Sequence, residues 1–293
     1  MIIRYVFNAA VAMDADKASY EIETVIQRSI ISLTQIIENF IQKEIELTRI
    51  CRLVVLLKES GVDLNTILFK KIAEKCCEMQ NNDGGWSDVL ETMWCASFLN
   101  LSNEYDIPVK KAIKWISSQS SDAQGWGKSI RDSARIPITG LILYFLPQLS
   151  SDIYLKWLES EWKKEWQCNP CLNYKAAFTL MAFYKNNYYP GDNEIISETV
   201  QWLARQQNED GGWGPWKNHP VGSDPWCTGI CLISLIHYSD GLLQKVLLNS
   251  LNWIKEKQLP NGLWAYHYIE DGSIWALYAL IMGYSVLYKI KND

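Results

Sequence analysis

Gln207-Asn208-Glu209-Asp210-Gly211-Gly212-Trp213 is the stretch that decides the fold. Asp before Gly signals a turn, because glycine accepts positive φ and an Asx side chain bonds its own backbone. The Gln amide can reach exposed backbone at a helix end, and the Trp can pack over the junction. The same stretch stands at Gln80-Asn81-Asn82-Asp83-Gly84-Gly85-Trp86, with a looser copy at Gln258-Leu259-Pro260-Asn261-Gly262-Leu263-Trp264. Ser120-Ser121-Asp122-Ala123-Gln124-Gly125-Trp126 is a weaker copy, and Trp166 reads as a decayed one. The tryptophans at 86, 126, 166, 213 and 264 lie 40, 40, 47 and 51 residues apart. Self-similarity of this length marks a repeat architecture.

Helical segments flank each turn. Before it come Trp115-Ile116-Ser117-Ser118-Gln119, Trp202-Leu203-Ala204-Arg205-Gln206 and Trp253-Ile254-Lys255-Glu256-Lys257, each Trp 11 residues ahead of the turn Trp. These alternate polar and apolar faces and belong outside. After the turn come apolar segments such as 92–99, 139–146, 228–235 and 274–280. Apolar nearly all round, these belong inside. The outer helices are expected over 21–43, 65–79, 108–118, 151–165, 194–206 and 243–257. The inner ones are expected to begin near Thr48, Glu91, Asp132, Cys171, Asp224 and Asp271. No strand pattern interrupts them. The fold class is therefore all-α, an (α/α)6 barrel, one domain over 1–293 with residues 1–20 as a strap or plug.

Composition bounds the function. The chain has 293 residues, 48% hydrophobic and 21% charged, with a net charge of -5. That excludes a disordered chain and disfavours nucleic acid as a partner, since no basic stripe appears. No unbroken apolar run is long enough for a spanning helix. Met1–Asp14 has one positive residue, Arg4, and Asn8 interrupts its apolar part, so it reads as structural rather than as a leader. Eight cysteines without a regular spacing read as the reduced thiols of a cytoplasmic protein.

The Gln-x-x-Asp-Gly-Gly-Trp pattern at 80–86 and 207–213 resembles the QW motif of squalene–hopene cyclases, oxidosqualene cyclases and class II diterpene cyclases. The same helical-barrel superfamily includes protein prenyltransferase β subunits. The resemblance covers residues 45–290 as a repeat pattern and implies the barrel, not a reaction. Those cyclases open an inner helix with Asp-x-Asp-Asp-Thr-Ala, whose middle Asp protonates an alkene or epoxide. The matching segment here is Asp224-Pro225-Trp226-Cys227-Thr228-Gly229. Its first Asp and its Thr match, but Trp226 replaces the middle acid and Cys227 the third Asp. Asp14-Ala15-Asp16 resembles a fragment of that motif and reads as a surface turn or cap. The Asp-Asp-x-x-Asp metal motif of class I synthases is absent, since no Asp-Asp pair occurs. Asn82-Asp83 with Glu91 is out of register for the second such motif. The prenyltransferase zinc set would fall on Cys227, Pro225 and Gly272, one ligand of three. No metal and no cofactor are expected.

Protonating an alkene needs a carboxylic acid kept neutral in a dry pocket and aromatic faces for the cation. Carboxylates near inner-helix starts are Asp88, Glu91, Asp132, Asp224, Glu270 and Asp271. Acids there also cap helices. Asp224 is the first candidate acid and Asp271 the second. Trp94, Tyr144, Trp216, Trp226, Cys227, Tyr266, His267, Trp275 and Tyr278 are expected to line the substrate pocket, with Tyr174 and Tyr268 close by. Arg131 and Arg135, one helical turn apart around Asp132, can hold a diphosphate or carboxylate, or pair with Asp132. Cys168-x-x-Cys171 lacks the second pair of a zinc site. Cys227 and Cys231 read as small buried residues, and His219 and His267 as meeting at one mouth.

The expected function is a class II terpene cyclase-like, metal-independent cyclisation or isomerisation of a hydrophobic polyene or prenyl substrate. One alternative is a barrel reused for a peptide or another natural product. The other is a non-catalytic scaffold resembling prenyltransferase β subunits, acting as a homodimer or with a helical partner.

Overall fold

The computed structural model describes residues 17–43, 46–120, 124–191, 194–238 and 243–292. Its helices alternate between two rings. The outer ring holds α1 (Lys17–Gln42), α3 (Thr66–Glu78), α5 (Asp106–Ser118), α7 (Asp152–Glu165), α9 (Glu194–Arg205) and α11 (Gln244–Lys257). The inner ring holds α2 (Leu47–Glu59), α4 (Val89–Leu99), α6 (Ile136–Phe145), α8 (Asn173–Lys185), α10 (Pro225–Ile236) and α12 (Ile269–Asn292). Each inner helix packs on the next, and α12 returns to α2. The (α/α)6 barrel is therefore closed.

Two boundaries differ from the sequence reading. The third inner helix starts at Ile136, not near Asp132. The Asp132 carboxylate instead accepts the Lys128 amide and holds residues 128–132 in a turn, while Pro137 fits the first helical positions. Residues 17–20 belong to α1. The rest of the expected strap, the leader reading and the Asp14–Asp16 fragment lie outside the described residues.

The inner helices are apolar all round because they are covered on both sides. In α10 every residue but Trp226 is buried. Gly229 lets α10 touch α12: a Cβ there would lie 2.6 Å from the Trp275 carbonyl oxygen.

The repeat turn is a clamp with three arms. The turn tryptophan's indole donates to the carbonyl ten residues back, at the end of its own outer helix. The pairs are Trp86–Cys76, Trp126–Ile116, Trp213–Leu203 and Trp264–Ile254, at 3.0, 2.8, 2.9 and 2.6 Å. Its backbone N–H donates to a hydroxyl on the following inner helix: Thr92, Thr139, Thr228 or Ser273. The third arm is the glutamine amide, which reaches the next outer helix. Gln80 donates to Pro108, Gln207 to Val246 and Gln258 to Val25, at 2.9, 2.9 and 2.8 Å. The outer-helix tryptophans complete the joint from the other side. Trp115 donates to the Asp83 carboxylate and Trp253 to that of Asp210.

Trp166 is not a copy of this clamp. It caps α7, one residue past the helix end, and packs its ring against Trp162 and Trp202. In its place Asn173 ties the α7–α8 junction sideways, its side chain donating to Gly214 and its amide to Pro215.

Three glycines test the clamp separately. Gly191 has open space and ordinary φ, Gly61 has φ +79° and open space, and Gly262 has φ +81° with the Arg28 carbonyl 2.6 Å from a built Cβ. Thermal or denaturant unfolding should rank their alanine variants in that order. Gly191→Ala should be within about 0.5 kcal/mol of wild type or better, Gly61→Ala should lose about 1 kcal/mol, and Gly262→Ala about 2–4 kcal/mol. Equal losses at 61 and 262 would show that the α11–α1 joint bears no load.

Candidate functional site

The starts of the six inner helices converge on one mouth of the barrel. Helix N-termini favour negative charge, and acids gather there. Asp88 caps α4, accepting the Glu91 amide at 2.8 Å, and Asp224 caps α10, accepting the Cys227 amide at 2.8 Å. Helix α12 carries Glu270 and Asp271 in its first turn. Helix α2 differs: its first turns carry Arg49 and Arg52. Both reach across the α12–α2 seam that closes the barrel. Arg49 lies 2.6 Å from the Glu270 carboxylate and Arg52 3.3 Å from that of Asp271. The Arg49 guanidinium also lies over the rings of Phe40 and Tyr268, at 4.8 and 5.3 Å. Above this seam opens a cleft of about 450 Å³ lined by Thr48, Arg49, Arg52, Asp88, Glu91 and Tyr268, among others.

The two expected acids flank Tyr266. Asp271 is 9% exposed, and burial raises its carboxyl above the usual range while Arg52 opposes the rise. Its Oδ1 is buried and makes no hydrogen bond among the described residues. Asp224 is half-buried. Burial raises it too, and the bond from the Cys227 amide opposes. Burial pushes the Tyr266 hydroxyl up, with both carboxylates adding to the shift. His219 lies near Asp224 and His267 near Asp271, so the two histidines border the same mouth. Trp216 stands edge-on to His219 at 4.2 Å. Cys227 is buried, and burial holds it as a thiol.

Below the acids runs a chain of rings. Tyr174 meets Trp226 at 5.5 Å, Trp226 meets Phe178 at 5.9 Å, Phe178 meets Trp275 at 6.3 Å, Trp275 meets Phe145 at 6.3 Å and Phe145 meets Trp94 at 4.9 Å. Trp94, Tyr144, Trp275 and Tyr278 are each no more than 3% exposed. The axis is packed with aromatic side chains.

The expected pocket residues divide between the two ends. Trp216, Trp226, Cys227, Tyr266, His267 and both acids lie at the mouth. Tyr144 lies at the far end of α6, and Tyr278 sits seven residues below Asp271, about 10 Å down the helix. Their hydroxyls meet at 3.0 Å, and the Tyr144 hydroxyl is 3.3 Å from His237 Nε2. Tyr184 stacks on His237 at 3.8 Å. Burial lowers His237 to about 4, so it is neutral at pH 7. The sequence reading left His237 out of the site, although it ends α10 as Tyr144 nearly ends α6. Arg135 turns back to Asp132 at 2.8 Å, and Arg131 is exposed.

No family model matches the chain. A squalene–hopene cyclase of Zymomonas mobilis is 24% identical over 223 residues, 72% of this chain and 32% of that protein. Protostadienol synthase A of Arthroderma gypseum is 26% identical over 114 residues, 35% of this chain and 15% of that protein. The chain thus spans about a third or less of the curated relatives it matches. Among solved structures, a type II terpene cyclase from Scytonema in complex with geranylgeranyl dihydroxybenzoate, its substrate, superposes with a TM-score of 0.69. It is 13% identical, and the match covers 91% of this chain and 98% of that one. The same cyclase in complex with its product, merosterolic acid A, gives 0.66 at 15% identity, over 92% of this chain and 98% of that one. The fold is that of type II terpene cyclases. Among the described residues, no helix is long and apolar enough to cross a membrane.

Two measurements probe the electrostatics. A histidine with an unfolded pKa of about 6.5 and a folded one near 4 binds its proton more readily when unfolded. Its contribution is whole above pH 6.5 and is lost as pH falls towards 4, up to about 3 kcal/mol. His237→Gln should therefore unfold with a flatter pH dependence than wild type over that window. Arg49→Met would leave Glu270, 2% exposed, without its partner. Denaturant unfolding should show a loss of about 3 kcal/mol, largely restored in Arg49→Met/Glu270→Met.

Proposed function

We propose that the chain is a class II terpene cyclase-like enzyme that starts a metal-independent cyclisation or isomerisation of a polyene or prenyl substrate by protonation. The observation that carries this reading is Asp271. It pairs burial and an Oδ1 that faces Arg52 at 3.3 Å without a hydrogen bond with a position one helical turn above Trp275. We rank it ahead of Asp224, the first candidate of the sequence reading, because the Asp224 carboxylate bonds the Cys227 amide, an interaction of its charged form.

In the proposed step the Asp271 O–H proton moves to one alkene carbon. The π pair becomes the new C–H bond, the neighbouring carbon becomes cationic, and Asp271 is left as a carboxylate. Arg52, 3.3 Å away, stabilises that carboxylate once formed. The faces of Trp226 and Trp275 stabilise the cation, and loss of a proton from the substrate ends the reaction. Tyr266 and Asp224 border the reacting end. The packed axis keeps most of the chain in the mouth cleft until the rings turn aside. An anionic head group would meet Arg131, exposed at the same mouth, and Arg135 on its release from Asp132.

The same packed axis favours a second reading, a binding protein whose mouth meets a prenylated or peptide partner, or a second copy of the chain. One experiment separates the two. Purified protein is incubated with farnesyl and geranylgeranyl diphosphates, their alcohols, a prenylated benzoate and squalene, with and without EDTA, and products are read by mass spectrometry. The cyclase reading expects a cyclised product that persists in EDTA and falls at least about 100-fold in Asp271→Asn. Asp224→Asn should keep more activity than Asp271→Asn. No product from any substrate, with substrate or partner binding intact, overturns the enzyme reading in favour of the second.

A further inference from the structure

Three cysteines far apart in sequence meet under the mouth. Cys51 lies on α2, Cys76 on α3 and Cys95 on α4, and all are fully buried. Their sulfurs lie within 4.8 Å of one another, and no disulfide joins them. We propose that Cys51, Cys76 and Cys95 form a trigonal thiolate site for a soft monovalent cation, copper(I).

Geometry sets the coordination number. Three sulfurs bound to one ion at about 2.3 Å lie about 4.0 Å apart. The observed spacing reaches that arrangement by side-chain adjustments of less than 1 Å. Thiolate sulfur selects soft ions such as copper(I) and zinc. Zinc takes four ligands in closed sites, and no fourth joins this group among the described residues. Copper(I) accepts three.

All three cysteines are free thiols. Binding displaces their protons to solvent as the ion takes their place on sulfur.

The site would tie three helices together. Cys76 is also the residue whose carbonyl accepts the Trp86 indole, so the ion and the first clamp share one position on α3. The site owes nothing to the proposed cyclisation, and no step of that reaction passes through it.

The test uses the full chain, reduced and kept anaerobic. Copper(I) is added as its acetonitrile complex in competition with bicinchoninate. The expected result is one ion per chain, a near-ultraviolet sulfur-to-copper absorption, and three sulfur neighbours by X-ray absorption. The loaded protein should unfold several degrees higher than the metal-free one. Cys76→Ser should weaken binding at least about 100-fold, whereas Cys231→Ser, a buried cysteine outside the cluster, should bind as wild type does. Should Cys76→Ser not fold, the copper shell of the wild type decides. No competition with bicinchoninate, a shell with fewer than three sulfurs, tighter binding of zinc(II), or unchanged binding in a folded Cys76→Ser would overturn the proposal.

Discussion

The amide of Gln258 bonds the Val25 carbonyl at 2.8 Å, and that contact turns a row of helix pairs into a ring. Each earlier clamp joins an outer helix to its successor in the chain. This one joins the sixth to the first, across more than 230 residues. It has company: Ser32 donates to the Asn261 carbonyl, and Gly262 lies against the backbone of Arg28. A buried backbone carbonyl needs a donor, and losing one costs about 1–3 kcal/mol. The three glutamine clamps thus fix the α3–α5, α9–α11 and α11–α1 joints of the outer ring, and the inner ring must fill what lies within it. Large rings on short helices do that, with glycine where two helix backbones touch.

Closure also fixes the electrostatics of the mouth. Six helix starts pointing one way create a positive rim; Asp88 and Asp224 cap two of them, and Glu270 and Asp271 lie in the first turn of a third. The first inner helix reverses this with Arg49 and Arg52. It lies beside α12, which carries two buried acids. A buried carboxylate next to another is costly unless a cation answers it. Arg49 answers Glu270 at 2.6 Å, whereas Arg52 stands off Asp271 at 3.3 Å without a hydrogen bond from its Nε. The pairing is unequal, and the less satisfied acid is the one above the rings.

The repeat was legible because its turn needs specific chemistry. Positive φ at Gly84 and Gly211, the donating Gln and the long Trp leave few substitutes, so the motif stands out from the chain. Trp166 misled because a Trp at the right spacing can serve another junction, and only the missing Gln and Gly distinguish it. The depth of a residue along the barrel was harder to read. Tyr144 and Tyr278 occupy the same register, five residues after Thr139 and Ser273, on helices opposite each other in the ring. Their hydroxyls consequently meet, far from the acids with which they had been grouped. Arg49 and Arg52 escaped notice because no turn motif precedes α2. The three cysteines gave no spacing signal at all, since tertiary packing alone brings α3 between α2 and α4.

Trp226 stands where the cyclase motif carries its proton donor, and the physical question is whether the chemistry must leave with the residue. A donor needs a dry environment, a nearby π face and a partner for the carboxylate it becomes. None of these belongs to α10 alone. Helix α12 packs on α10, its first turn lies at the same level, and Gly272 lets that turn lie against Tyr266 and Pro225. Asp271 therefore reaches the same mouth from the adjacent helix. On the proposed reading, Trp226 adds a π face to the site in exchange for a charge, which lowers the local polarity and supports the raised carboxyl of Asp271. On that reading, an acid and an aromatic ring that trade helices keep the same relation to the barrel axis. That relation, rather than the position in the motif, is what protonation of an alkene requires.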